Sequence, residues 1–256
     1  MSERTLVRAM ADGRTMIIRS FRLSLRNIDG LITALALPIM LMLMFVYLFG
    51  GAIRTDGRYV DFVVPGVLLV CVGFGAATTA ISVAADLTSG VIDRFRSMDV
   101  PGEALLNGHV AASVARNLLS SLLVIAVAFA IGFRSDANLA HWLGAFGILA
   151  LFVLALSWFA AAIGVAVRSA EAANGVTFLV AFLPYASSAF VPIHTMPSWL
   201  QGFARNQPVT AVVDAIRGSL LGGPIASKVW PGVAWSLAVI AASAALARVL
   251  FARRTR

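Results

Sequence analysis

Six charged residues, Asp86, Asp93, Arg94, Arg96, Asp99 and Glu103, crowd into a stretch flanked by long apolar runs. At the centre of a bilayer they would cost on the order of 15 kcal/mol, at about 2.5–3.5 kcal/mol each, so the stretch belongs outside the hydrocarbon. Val91, Phe95 and Met98 recur at i, i+4 and i+7, the stripe of a short helix with Arg94 on its flank. Ser89-Gly90 precedes it and Pro101-Gly102 ends it. The chemistry on offer is mechanical. Such a helix can dock its stripe into a groove on a soluble partner, or rest it on a membrane surface; the residues by themselves leave both open.

Catalytic patterns are missing. Lys228, the only lysine, stands between Ser227 and Val229 and cannot be the lysine of a G-x-x-x-x-G-K-[ST] phosphate loop. His109, His141 and His194 are far apart, with no H-E-x-x-H or paired-cysteine context. No G-x-S-x-G elbow occurs. Cys71, the single cysteine, lies in an apolar run and reads as a small packing residue. No catalytic residue, metal-ligand set or bound cofactor is expected on this chain.

The elements that must position the charged stretch are membrane helices. Of 256 residues, 60% are hydrophobic and only 12% charged, against roughly a quarter charged in soluble domains; mean hydropathy is +0.90. Apolar blocks at 31–50, 62–85, 117–133 (with 110–115 before it), 142–167, 175–191 and 229–247 contain no Asp, Glu, Lys or Arg. The expected architecture is therefore all-α and integral to the membrane, one domain over 1–256 with six transmembrane helices. Threading six spans puts fourteen basic residues on the face shared by the termini and six on the other, which makes both termini cytoplasmic. The net charge of +8 is then explained by topology and membrane lipids, and no nucleic-acid partner is expected. Uncharged spans also argue against an ion-coupled carrier or channel, the competing reading.

Within 1–30, Arg19, Arg22 and Arg26 form one stripe and Ile18, Phe21, Leu25 and Ile28 another, as in a cytoplasmic amphipathic helix at the interface or a plain basic topogenic tail. Residues 195–228 are too polar for one span. There Val209, Val212, Val213, Ile216 and Leu220 line up opposite Asp214 and Arg217, whose i, i+3 spacing reads as a weak surface ion pair. For a substrate path, the second and fifth blocks offer Phe74, Thr78 and Ser82, and Phe182, Tyr185 and Ser188 beside the helix breaker Pro184. A lining without fixed charge favours amphiphilic or lipid-like cargo.

Three patches carry a resemblance. Phe62-Val63-Val64-Pro65-Gly66-Val67-Leu68 opens the second block, and Asp93-Arg94-Phe95-Arg96-Ser97-Met98 fills the charged stretch. Met196-Pro197-Ser198-Trp199-Leu200 leads into Asn206-Gln207-Pro208-Val209-Thr210 and Ala215-Ile216-Arg217. In order, spacing and six-span plan the chain resembles the permease subunit of type-2 ATP-binding-cassette (ABC) exporters, the group that includes the daunorubicin-resistance permeases. It departs in having Asp99 where the family usually has proline, and His109 where arginine is common. The resemblance implies a bacterial inner-membrane permease paired with a second permease, as a homodimer or heterodimer, and driven by a separate nucleotide-binding ATPase that carries ATP and Mg. It implies that 86–109 hold a cytoplasmic coupling helix, with Val91, Asp93, Arg94, Phe95, Arg96 and Met98 at the ATPase. It further implies that 195–228 form external re-entrant half-helices before the last span, with Trp199, Asn206, Pro208, Asp214 and Arg217 in them.

Overall fold

The computed structural model describes residues 28–53, 55, 57–89, 102–222 and 225–254, and the regular structure of these residues is entirely helical. The expected ATPase contacts Val91 to Met98 and the arginines 19, 22 and 26 lie outside the described residues. Helix α1 (Ile28–Met44) passes into a π-helical turn, Phe45–Phe49. Helices α2 (Tyr59–Thr88), α3 (Gly102–Ala130) and α4 (Leu139–Ala166) are long. A short α5 (Ala170–Ala181) leads to 3-10 turns at Leu183–Ala186 and Ile193–Thr195, then α6 (Ser198–Asn206), α7 (Pro208–Leu221) and α8 (Ile225–Arg254).

A helix bonds its backbone polar groups to one another, which hydrocarbon requires. Among the described residues, four stretches are long and apolar enough to cross a bilayer: Tyr59–Thr88, Leu105–Ala130, Leu139–Ala166 and Val229–Arg254. The expected blocks 62–85 and 229–247 fall inside the first and last of these, and 142–167 overlaps the third, starting three residues inside it and ending one beyond. The described apolar part of α1 and its π turn, Leu35–Phe49, is shorter. The expected fifth block is no single helix: α5 has 12 residues, about 18 Å at 1.5 Å per residue, and ends before Pro184. Ser169 caps its start, accepting from Ala172 N at 3.2 Å.

The third block differs from expectation. Helix α3 starts at Gly102 and carries Arg116 into its apolar stretch, midway between its two ends. A charge is tolerated there because the guanidinium folds onto α2, where Nη2 donates to Gly75 O at 3.2 Å and Thr79 Oγ1 at 2.9 Å. Asn117 beside it donates to Ser113 O at 2.9 Å, and Ser113 Oγ lies 2.9 Å from Ser157 Oγ on α4. The backbones meet closely at this level, since a Cβ on Gly75 would sit 1.7 Å from Asn117 Oδ1.

Helix α2 is the hub. It packs against α1, α3, α4, α5 and α7, and 78% of its apolar window is buried, against 17% for α8 at the periphery. Two polar layers mark its ends. At one, Arg58 pairs with Asp61 at 2.9 Å and donates to Gly132 O at 3.0 Å, while Asp61 accepts from Arg134 N at 3.0 Å. At the other, His109 Nε2 lies 3.0 Å from Asp86 Oδ2. Asp61 and Asp86 are 25 residues apart in one helix, about 38 Å, which brackets a hydrocarbon layer of about 30 Å.

Candidate functional site

The chain unwinds after α5. Pro184 has no N–H to continue a helix, and Pro192 and Pro197 keep the following segment irregular. Unwound backbone at this depth needs donors from elsewhere, and α2 and α7 provide them. Tyr59 Oη donates to Phe190 O at 2.8 Å, Arg217 Nη2 to Ser188 O at 2.7 Å, and Gln207 Nε2 to Ala186 O. Thr210 Oγ1 accepts from Ser188 N at 3.4 Å. Thr210, Asp214 and Arg217 sit at i, i+4 and i+7, so one face of α7 grips the segment.

Arg217 is the centre of this clasp. Nη1 donates to Asp214 Oδ1 at 3.0 Å, while Nε and Nη2 donate to Phe62 O at 3.2 and 3.0 Å. Its guanidinium carbon lies 3.8 Å from the Phe62 ring centre, a cation–π contact. Asp214 also accepts from Ser188 Oγ at 2.7 Å. The side chains of Arg217 and Asp214 are only 15% and 26% exposed, so the pair is embedded and the surface-pair reading is corrected. Gly66 completes the fit: a Cβ there would stand 2.6 Å from both Cβ and carbonyl oxygen of Ala189. The Pro-Gly patch that opens α2 and the patch ending at Arg217 are thus neighbours in space.

Six aromatic rings form a chain of contacts across the break. Phe178 and Phe182 are 4.8 Å apart, Phe182 and Tyr185 5.3 Å, and Tyr185 and Phe190 5.0 Å at 11°. Phe190 stacks on Phe45 at 4.5 Å, and Phe45 meets Phe49 at 5.5 Å in the π turn. Phe178, Phe182 and Phe49 are about half exposed.

The remaining expected site residues are distributed around this core. Phe74, Thr78 and Ser82 share one face of α2; Phe74 and Thr78 are half-buried and Ser82 exposed. Thr78 Oγ1 donates to Gly75 O and Ser82 Oγ to Thr78 O, each at 2.8 Å, so both hydroxyl protons stay on the helix. Ser188 is buried within the clasp. Asn206 Nδ2 donates to Gly202 O at 2.8 Å at the end of α6, and Pro208 begins α7, where the lost N–H is harmless. Trp199 is 79% exposed. Sequence reasoning missed Tyr59, Gln207, Thr210 and Arg116. Thr210 had a signal, its place one turn before Asp214; Arg116 had another, an arginine with no proline for a dozen residues on either side.

The sequence profile of the ABC-2 type transporter family matches residues 13–221, which takes in every described element from α1 to α7. The chain is 32% identical over 194 residues to the daunorubicin resistance ABC transporter permease protein DrrB1 of Streptomyces coeruleorubidus, covering 75% of this chain and 69% of that one. It is 23% identical over 216 residues to the probable doxorubicin resistance ABC transporter permease protein DrrC of Mycobacterium tuberculosis, covering 84% and 78% respectively. An all-helical bundle with membrane-length spans, a broken helix clasped from the Pro-Gly end of α2 and a match of this extent lead to one assignment: this multi-pass membrane protein belongs to the ABC-2 type transporter family, as a permease.

Proposed function

We propose that the chain is the transmembrane subunit of an ATP-driven exporter that moves amphiphilic, drug-like or lipid-like molecules outward across a bacterial inner membrane. Six spans serve this role: α1, α2, α3, α4, the interrupted α5 and α8, with both termini cytoplasmic. The Asp86–His109 layer then faces the cytoplasm and the Arg58–Asp61 layer the outside. A separate ATPase subunit docks on 86–109 through Val91, Arg94, Phe95 and Met98, and a second permease completes the pathway. Helices α6 and α7 act as the external re-entrant pair. The name of the Streptomyces relative points to daunorubicin-type cargo.

The observation that supports amphiphilic cargo is the six-ring ladder, which offers half-exposed aromatic faces without a fixed charge among them. Reconstitution tests the reading. Vesicles holding the permease with its co-expressed ATPase should expel daunorubicin only when ATP is present, and vesicles with either component alone should not. Efflux by the permease without an ATPase would end the proposal.

A further inference from the structure

Helices α5 and α8 both pack on α4 but barely on each other. Between them is a narrow cleft of about 50 Å³, part of it open to the outside. Its floor is Gly73 of α2 and Phe152 of α4, its upper wall is Pro184 and Pro208, and Trp235 and Ser236 of α8 form the far side. The two prolines come from the two sides of the clasped segment, so the cleft lies directly behind the chain break.

The chemistry of the lining is one-sided. Ser236 and the indole N–H of Trp235 are the polar side-chain groups in it, and the Ser236 hydroxyl donates to Gly232 O at 2.8 Å. Gly73 is 12 residues along α2 from Asp61, about 18 Å from that ionic layer and well inside the hydrocarbon. Trp235, 45% exposed, stands at the side where the cleft opens. A cavity at this depth with a lateral mouth meets lipid tails first. Cargo with several carbonyls, hydroxyls or an amine would find the Trp235 indole N–H and little else to bond here.

We propose that this cleft is a binding site for one acyl chain of a phospholipid from the leaflet on the Asp61 side, lodged between the end of α5 and the start of α7. The site depends only on the membrane placement of the chain, and its failure would leave the transport reading untouched. Because the contacts are with the tail, retention should be independent of headgroup.

Native mass spectrometry of the purified full chain, titrated with palmitoyl-oleoyl phosphatidylglycerol and then with the matching phosphatidylethanolamine, tests this. One lipid should be retained at least tenfold more tightly than the rest, with both headgroups. Ala155→Trp, which fills the cleft from α4, should abolish that tight lipid. Val239→Trp, at the lipid-facing side of α8 and easier to accommodate, should do the same if the first variant fails to fold. Leu246→Trp, on an exposed position of α8 outside the cleft, should change nothing. The proposal is overturned if no lipid is distinguished, if Val239→Trp leaves the tight lipid in place, or if the two headgroups differ by tenfold or more. Displacement of the lipid by daunorubicin would overturn it in favour of cargo.

Discussion

Arg217 and Phe62, 155 residues apart in the chain, meet twice: the guanidinium donates to the Phe62 carbonyl at 3.0 and 3.2 Å and lies over its ring at 3.8 Å. One side chain thereby joins the Pro-Gly end of α2, the face of α7 and the unwound segment at Ser188. Lysine cannot reproduce this, because it lacks the planar fork that reaches several acceptors at once. Arg217→Lys should therefore lower stability nearly as far as Arg217→Ala, by roughly 2–3 kcal/mol for the lost charge-assisted bonds. Thermal unfolding in detergent measures it; a lysine variant as stable as the parent would show that charge alone suffices.

Gly75 and Asn117 form a second tight contact, and it can be tested by compensation. Gly75→Ala should destabilise, since the added methyl would land on Asn117 Oδ1 at 1.7 Å. Asn117→Ala should restore much of the loss in the double variant, giving a coupling energy of about 1 kcal/mol or more. Additive effects would mean that the helices simply move apart.

Arg116 sits where a charge raises the free energy of insertion by about 2.5–3.5 kcal/mol. In a glycosylation-mapping assay on the isolated α3 segment, Arg116→Leu should make insertion more favourable by about that amount. No change would place residue 116 at the headgroup level.

If the ladder of rings contacts cargo, single truncations should act on transport more than on folding. Phe182→Ala should reduce daunorubicin efflux about 2- to 10-fold, the equivalent of the 0.5–1.5 kcal/mol attached to one aromatic contact. Phe182→Trp should retain most of it. Equal loss in both variants would point to packing instead.

The docking assignment for residues 86–109 has its own test. Phe95→Asp should leave the permease inserted while ATP hydrolysis by the partner no longer drives efflux. Export at an unchanged rate would remove Phe95 from the contact.

How far these features were legible depends on their range. The long helices were readable because an uncharged apolar block of membrane length has few alternatives; 62–85 lies wholly within Tyr59–Thr88. The break near Pro184 was equally visible, since proline acts on its own backbone. Arg116 misled because charge was counted along the chain, whereas its tolerance comes from acceptors on Gly75 and Thr79 of another helix. For Asp214 and Arg217 the spacing announced a pair but not its burial. Their further partners are the Ser188 hydroxyl and the carbonyls of Phe62 and Ser188, and main-chain oxygens look alike at every position in a sequence. The resemblance named both patches; only the fold brought them together.

The segment from Ala186 to Phe190 has a mechanical consequence. Its carbonyls are held by Gln207, Arg217 and Tyr59, side chains that belong to two different helices or their caps. Letting go of one at a time leaves a buried oxygen without a partner, at about 1–3 kcal/mol for each. The three side chains therefore hold the segment as a unit, and loss of any one of them should loosen all of it.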